Sequence, residues 1–445
     1  MTMRSLCSSA LPSVCLLLAL AACGGGSSTL NAGGAATGTG GVDTGQGGSS
    51  GSSPSGSNPA EGSSSPGRPA GDYDPSALPV IDGTASDSTL WPAWRKSIAR
   101  WQWKQIGGTD LASVQPSPPV PGGLGARIDA WNGLAADANK SILFSAANGG
   151  HADYSGNEVY RINLSVDQPQ WELLRGPTPA ADILTSNHSL GVYNDYYRDG
   201  RPASTHTYYA LNYLASRSAV FKFGAGSLWG TGNEANWKTD AFSVVSNDWV
   251  AAGTWPDAVQ NLRSGVTGAA ICMNPATDQV YVSTPGNLRR FDPAAGTFDV
   301  LDSWLDNSSS VYSRGCAVDP VRHRTVFFGD AYRPPSGGLV YDIGTNRFSR
   351  ISFSGDGATA VAAAGYNFGW FEPKVDKFVV KTGTAGDVYS VDPVTFEASR
   401  IPTAGPDAPP DAANGVHSRW QRLPKLGGYA YYPRYGSGIW FFAVE

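Results

Sequence analysis

From position 268 onward the chain alternates short apolar runs with polar turns on a regular beat. Ala269-Ala-Ile-Cys-Met is followed by Asn274-Pro-Ala-Thr-Asp-Gln, then Val280-Tyr-Val-Ser, Leu288-Arg-Arg-Phe-Asp-Pro and Thr297-Phe-Asp-Val-Leu. Runs of four to six residues rich in Val, Tyr, Phe and Ile and bounded by Asn, Asp, Pro and Gly predict strands, not helices. The pattern returns as Gly315-Cys-Ala-Val-Asp-Pro, Thr325-Val-Phe-Phe-Gly, Leu339-Val-Tyr-Asp-Ile and Arg347-Phe-Ser-Arg-Ile. It returns again as Gly369-Trp-Phe-Glu-Pro, Lys377-Phe-Val-Val, Asp387-Val-Tyr-Ser-Val-Asp-Pro and Phe396-Glu-Ala-Ser-Arg-Ile. Pro275, Pro320 and Pro373 mark the same turn in successive units. Each unit reads as four strands: two apolar, one aromatic-Asp, and one polar and outermost.

A four-strand unit repeated about every 50 residues predicts the blades of a β-propeller. A longer, degenerate unit runs from Ala130-Trp-Asn-Gly-Leu through Ile142-Leu-Phe-Ser, Gly149-Gly-His-Ala-Asp-Tyr-Ser-Gly-Asn-Glu-Val-Tyr-Arg-Ile and Gln170-Trp-Glu-Leu-Leu. Its strand, Gly-Gly pair, Asn-Glu-Val-Tyr strand and following Trp resemble a kelch repeat, the architecture of the central domain of galactose oxidase. The copper chemistry of that enzyme does not follow, because no ligand set of Tyr and His accompanies the resemblance. Another unit comprises Thr205-His-Thr-Tyr-Tyr-Ala-Leu, Ala219-Val-Phe-Lys-Phe and Asp240-Ala-Phe-Ser-Val. The last, Trp420-Gln-Arg-Leu, Gly428-Tyr-Ala-Tyr-Tyr and Ile439-Trp-Phe-Phe-Ala-Val, has three strands. Arg100-Trp-Gln-Trp-Lys-Gln-Ile has the look of an unattached outer strand. Pairing it with the last unit closes the ring and leaves no open edge. The expected fold is all-β: a kelch-like propeller of six four-stranded blades, or seven if residues 173–256 hold another, closed by an N-terminal strand.

Composition divides the chain. Residues 24 to about 71 are almost wholly Gly, Ser, Ala, Thr, Asn and Pro, too poor in apolar surface to offset the entropy of ordering. As a coil this segment has a reach of roughly 35–40 Å. Before it, Leu20-Ala-Ala-Cys23-Gly ends a short apolar run that follows Arg4. That motif resembles the lipobox of bacterial lipoproteins. The resemblance implies a signal peptide over 1–22 and a diacylated Cys23. It also implies a tether over 23–71 and a location in the cell envelope, with the outer membrane as the address because Gly24 is not Asp. Residues 72–98 then form a lead-in and 99–445 the propeller. The formal net charge is −5 with no basic block, which disfavours nucleic acid. The expected partners are the bilayer through Cys23 and a polysaccharide or surface protein.

Five cysteines are present; Cys7 and Cys15 fall in the signal peptide, and Cys23 is the lipid site. Cys272 and Cys316 are left for the head, either as a disulfide or as two buried thiols. They make no metal site, and no cofactor is expected.

Topology locates the candidate site. In a blade with strands A to D, the B–C loops and the D–A junctions share one rim, called here the upper face. Functional residues concentrate on such loops. They hold His151, Asp153, Tyr154 and Asn157, then Trp229, Asn233 and Trp237, then Asp330, Tyr332 and Arg333. The D–A junctions add Arg127, Asp129, His206, Tyr208, Arg263, Arg314, His417 and Arg419. Two function classes fit. In the first, the rim binds a glycan or protein, with Trp229 and Trp237 as stacking platforms and Arg263, Arg314, Asn157, His417 and Arg419 as polar contacts. In the second, the same cavity is a polysaccharide lyase acting on uronates. An arginine then neutralises the carboxylate, and His206 or His151 with Tyr208 or Tyr154 serves as base and acid. A hydrolase needs two carboxylates, for which the rim offers Asp129 and Asp153, with nothing in the sequence that pairs them.

Overall fold

The computed structural model describes residues 86–224, 226–232, 234–260, 263, 267–303, 314–328, 337–363 and 366–445. Cys23 and the signal and tether segments lie outside the described residues. So do Asn233, Asp330, Tyr332 and Arg333.

Six four-stranded antiparallel sheets form the blades of a propeller. The outer strand β1 (Trp103–Gln105) comes first in the chain. Blade 1 follows as β2 (Ala135–Asp137), β3 (Ile142–Ala146), β4 (Val159–Asn163) and β5 (Trp171–Arg175). Blade 2 takes β6 (Leu211–Leu214), β7 (Ala219–Lys222), β10 (Asp240–Ser243) and β11 (Asp248–Trp249). A two-residue ribbon of β8 (Gly226–Ser227) and β9 (Ala235–Asn236) is inserted in its B–C loop. Blade 3 is β12 (Ile271–Met273), β13 (Val280–Thr284), β14 (Asn287–Asp292) and β15 (Thr297–Ser303). Blade 4 is β16 (Gly315–Asp319), β17 (Arg324–Phe328), β18 (Gly338–Asp342) and β19 (Arg347–Ile351). Blade 5 is β20 (Phe368–Glu372), β21 (Lys377–Lys381), β22 (Val388–Val391) and β23 (Ala398–Arg400). Blade 6 is β24 (Trp420–Leu423), β25 (Gly428–Tyr431) and β26 (Trp440–Ala443), with β1 as its outer strand. The stretch 173–256 supplies blade 2 and an upper-face excursion over 176–210, so the blade count is six.

The turns follow a shared rule. A polar residue at the end of each of three innermost strands folds back on the turn that follows it. Asp137 Oδ1 accepts from Lys140 N, Asn274 Oδ1 from Ala276 N, and Asp319 Oδ1 from Val321 N and Arg322 N. The A–B hairpin of every blade then closes through one left-handed residue: Ser141, Ser218, Asp278, His323, Asp376 or Gly427. His323 (φ 53°) is thus a turn residue of the lower face.

The high aromatic content packs blade against blade. Phe144 stacks on Tyr213 between blades 1 and 2 at 5.5 Å, and Phe221 meets Phe291 between blades 2 and 3 at 5.5 Å. Tyr281 and Tyr341 join blades 3 and 4, and Phe328 meets Phe378 between blades 4 and 5. Trp370 Nε1 donates to Trp420 O across blades 5 and 6, and Trp171 stacks on Tyr432 between blades 1 and 6. Trp103, Trp171 and Trp420 are thus buried in blade packing. Blades 3 and 4 are also linked covalently, by a Cys272–Cys316 disulfide joining their innermost strands.

Ring closure is antiparallel, with Trp103 opposite Phe442 and Gln105 opposite Trp440. The ladder extends through Trp101 N to Ala443 O and Ile106 N to Ile439 O. Residues 86–98 brace this seam from the lower face. Buried Arg95 donates to the carbonyls of Ile98, Leu426, Gly427 and Glu445. Ser86 and Lys374, the latter in the A–B turn of blade 5, both bind the Glu445 carboxylate. The chain therefore enters the propeller at the lower face.

Two outcomes test these contacts. Truncation through Gly107 bares the edge of β26 and is expected to cause aggregation and loss of cooperative thermal unfolding, whereas exposed Lys104→Ala shifts stability by no more than about 0.5 kcal/mol. The disulfide closes a loop of sequence separation 44. Replacing both cysteines by Ala is expected to cost up to about 4 kcal/mol in denaturant unfolding.

Candidate functional site

The upper face gathers an aromatic and imidazole column around the propeller axis. It is built from D–A junctions that pass through left-handed backbone just before each inner strand: Trp131 (φ 52°), Tyr208 (φ 46°), Tyr366 (φ 64°) and His417 (φ 48°). Left-handed backbone is uncommon for bulky side chains and persists only where the surroundings enforce it. Here the enforcement is hydrogen bonding between junctions. Tyr208 N donates to Trp131 O, Ser418 N to Tyr208 O, and His417 N to Tyr366 O. The rings then meet in sequence. Trp131 stacks on His206 at 5.2 Å, and His206 meets Tyr208 edge-on at 5.9 Å. Tyr208 meets His417 at 5.3 Å, and His417 meets Tyr366 at 5.0 Å.

The B–C loop of blade 1 brings its polar groups against this column. Gly149 and Gly150 explain the pair read from sequence. A Cβ on Gly150 would lie 2.3 Å from His206 N and Ser227 O, and one on Gly149 would lie 2.3 Å from Tyr154 O. Only glycine lets the loop approach blade 2 this closely. His151 (φ 47°) then turns the chain so that Asp153 faces His206. Asp153 Oδ2 lies 2.8 Å from His206 Nε2 and 3.8 Å from His151 Nδ1. The hydrogen bond from His206 holds the Asp153 carboxyl below its ordinary range. Burial pushes the His206 imidazole down, against the pull of Asp153. An ionised carboxylate only accepts, so a neutral His206 carries its proton on Nε2 and donates it to Asp153. His206 is 3% exposed; the His151 and Asp153 side chains are 42% and 37% exposed. The reachable groups are thus Asp153 and His151, and His206 is the buried support.

An open cleft of about 330 Å³ borders this cluster. Gly123, Gly125, Asp129, Trp131, Asp153 and Asn414 line it, and the described lining contains no Lys or Arg. Asp129 Oδ1 accepts from Tyr435 N at 2.8 Å, and its carbonyl accepts from Asn414 Nδ2 at 2.7 Å. Burial raises the Asp129 carboxyl above its ordinary range. A larger groove of about 610 Å³ lies on the lower face among Asp87, Lys140, Ser165 and Lys425. Its described lining has neither an imidazole nor an aromatic ring, so the chemistry belongs to the smaller cleft.

Several residues read as rim contacts are engaged inside the protein. Tyr154 is fully buried and donates to Glu158 Oε1 at 2.8 Å. Glu158 also accepts from Tyr160, which in turn accepts from Arg127. Burial and the neighbouring Glu158 hold the Tyr154 phenol far above its ordinary range, and its full burial keeps it from touching a ligand on the rim. Asn157 ties Thr178 to the Pro202 carbonyl. Arg263 makes a two-pronged pair with Asp195 at 2.5 and 2.6 Å. Arg419 is fully buried and donates to the carbonyls of Ile128, Pro433, Ala413 and Gly415. Arg314 is 5% exposed. Trp237 is 3% exposed, and half-buried Trp229 packs with Ile183, Leu184 and Tyr193. Neither Trp229 nor Trp237 is an open platform: the excursion over 176–210 packs on Trp229, and Trp237 is buried in the core with Phe221, Ala235 and Ala258.

His417 is fully buried. Its Nε2–H donates to Asn414 O at 2.7 Å, and Nδ1 has no partner among the described residues. Burial and Arg419 hold it neutral. Burial pushes the Tyr208 phenol up to about 12. The reading from sequence missed Trp131 and Asn414 as site residues. Trp131-Asn-Gly and Asn414-Gly are turn signals, and nothing in a turn signal tells which turns reach the axis.

No family model matches the chain, and no curated protein matches it. Among solved structures, it is similar to a chain in the "Crystal structure of Nidogen/Laminin Complex", at 8% identity and a TM-score of 0.37, over 62% of this chain and 80% of that one. A likeness that loose carries no argument about function.

Proposed function

We propose that the propeller is the binding head of a cell-envelope lipoprotein, and that its upper-face cleft binds a neutral glycan. The observation that carries this is the charge of the lining. Asp129 and Asp153 face the cleft with Trp131 and Asn414, and no described Lys or Arg joins them. Carboxylates and amides accept or bridge sugar hydroxyls, and an aromatic face suits the apolar side of a sugar ring. An anionic glycan would meet repulsion. The lyase reading loses support for the same reason, since Arg263 and Arg419 are already committed to Asp195 and to backbone carbonyls.

Trp131→Ala is expected to weaken binding of a neutral oligosaccharide by about 30-fold, or about 2 kcal/mol, with the thermal midpoint little changed. Arg263→Ala is expected to do the reverse, costing about 1–3 kcal/mol of stability by stranding Asp195 while leaving affinity intact. Calorimetric titration against neutral, uronate and amino-sugar oligosaccharides checks both; preference for a uronate would overturn the reading. Cys23→Ser is expected to move the protein from the membrane to the soluble fraction on cell fractionation.

A further inference from the structure

The sequence offered Asp129 and Asp153 with nothing to pair them, and the fold brings both to one cleft. They arrive from different elements, Asp129 from the junction before blade 1 and Asp153 from the B–C loop of that blade. The loops are latched together, with Gly123 N donating to Asp153 O and Ser155 N to Pro121 O. Their surroundings differ in kind. Asp153 shares Oδ2 with a buried imidazole N–H at 2.8 Å and has His151 nearby, an environment that favours the anion. Asp129 is half-buried at the end of a helical turn, with a single backbone N–H on Oδ1. Two carboxyls whose environments push their protonation apart are the division of labour that acid–base catalysis needs.

From this arrangement we infer that the cleft hydrolyses the glycosidic bond of a neutral glycan, with Asp129 as the proton donor and Asp153 as the base. The inference rests on the glycan-binding reading of the same cleft. The carboxyl of Asp129 gives its proton to the glycosidic oxygen as the bond from that oxygen to the anomeric carbon breaks. A water molecule adds to the anomeric carbon and loses one proton to Asp153. One water is consumed and two hydroxyl-ended fragments result. Asp129 is left ionised and Asp153 protonated, and exchange with solvent resets both. A single displacement of this kind uses two carboxyls about 6.5–9.5 Å apart, which leaves room for the water, and Asp129 and Asp153 both line the same cleft. His206 does not reach the substrate. It is a positioning residue that orients Asp153 and keeps it ionised, and Trp131 fixes the plane of the imidazole by stacking on it.

The test uses the full chain and a panel of neutral polysaccharides: glucans of both anomeric configurations, mannan, galactan and xylan. Release of reducing ends is measured beside binding. At least one bound glycan is expected to be cleaved. Asp153→Asn and Asp129→Asn are each expected to reduce turnover at least 1,000-fold while holding affinity within 10-fold. Asn at 129 keeps an oxygen for Tyr435 N, so folding is preserved. Sodium azide is expected to restore cleavage to Asp153→Ala by attacking the anomeric carbon in place of water, with the glycosyl azide product read by mass spectrometry, which a purely structural role for Asp153 would not allow. His206→Phe is expected to move the acid limb of kcat/KM to higher pH, because Asp153 loses the hydrogen bond that holds its carboxyl down, whereas His206→Gln keeps an N–H donor and moves it less; a lower kcat with an unmoved limb in His206→Phe would remove the positioning role. Binding without reducing ends overturns hydrolysis and leaves the binding head standing. Absence of binding by any neutral glycan overturns both. Cleavage that survives Asp129→Asn, or yields unsaturated products absorbing in the ultraviolet, overturns the assignment of acid and base.

Discussion

The antiparallel pairing of β1 with β26 is the constraint on which the rest of this structure depends. A propeller is a ring, and each blade buries its faces only against two neighbours. Without Trp103–Gln105, blade 6 would end on an open edge at Trp440–Ala443. The seam is reinforced where it is weakest. Arg95 gathers four carbonyls from both sides of it, and Trp103 packs on Phe442 at 4.9 Å and Trp420 at 5.7 Å. A buried guanidinium is costly unless its donors are met, and here backbone oxygens meet them.

The axial column inherits its geometry from that closed ring. Trp131, Tyr208, Tyr366 and His417 come from four different blades, and the hydrogen bonds that hold each in left-handed backbone run to another junction. No single blade could maintain them. The same dependence covers the chemistry. His206 lies on blade 2 and Asp153 on blade 1, and their 2.8 Å contact exists only because Gly149 and Gly150 let one blade's loop press against the next blade's junction.

Charge is distributed with a consistent logic. Arg95, Arg127 and Arg419 are buried and spend their donors on carbonyls and phenols, fastening loops. Arg422 pairs with buried Glu372 across blades 5 and 6. Arg127, Arg263 and Arg419 of the D–A junctions are thus fasteners, and the described lining of the cleft carries carboxylates. A rim that shows several arginines in sequence thus surrounds a cleft whose described lining has Asp129 and Asp153 but no Lys or Arg.

The sequence by itself determined the blades. Period-two apolar runs, Asp-Pro turns and the unattached Trp-Gln-Trp strand dictate local hairpins and one closure, because strand alternation and turn chemistry are short-range properties. It also indicated the upper face and put His151, Asp153 and His206 there. The tertiary structure decided which of those residues meet one another. Tyr154 looked as available as Asp153 one position away, yet the loop turns Tyr154 into the core against Glu158 and Asp153 toward the axis. Arg263 looked free until the excursion over 176–210 delivered Asp195 to it. Partners separated by 53 residues in the case of Asp153 and His206, or 68 in the case of Arg263 and Asp195, are set by the curvature of a closed ring and by what its insertions cover, and neither leaves a periodic trace in the chain.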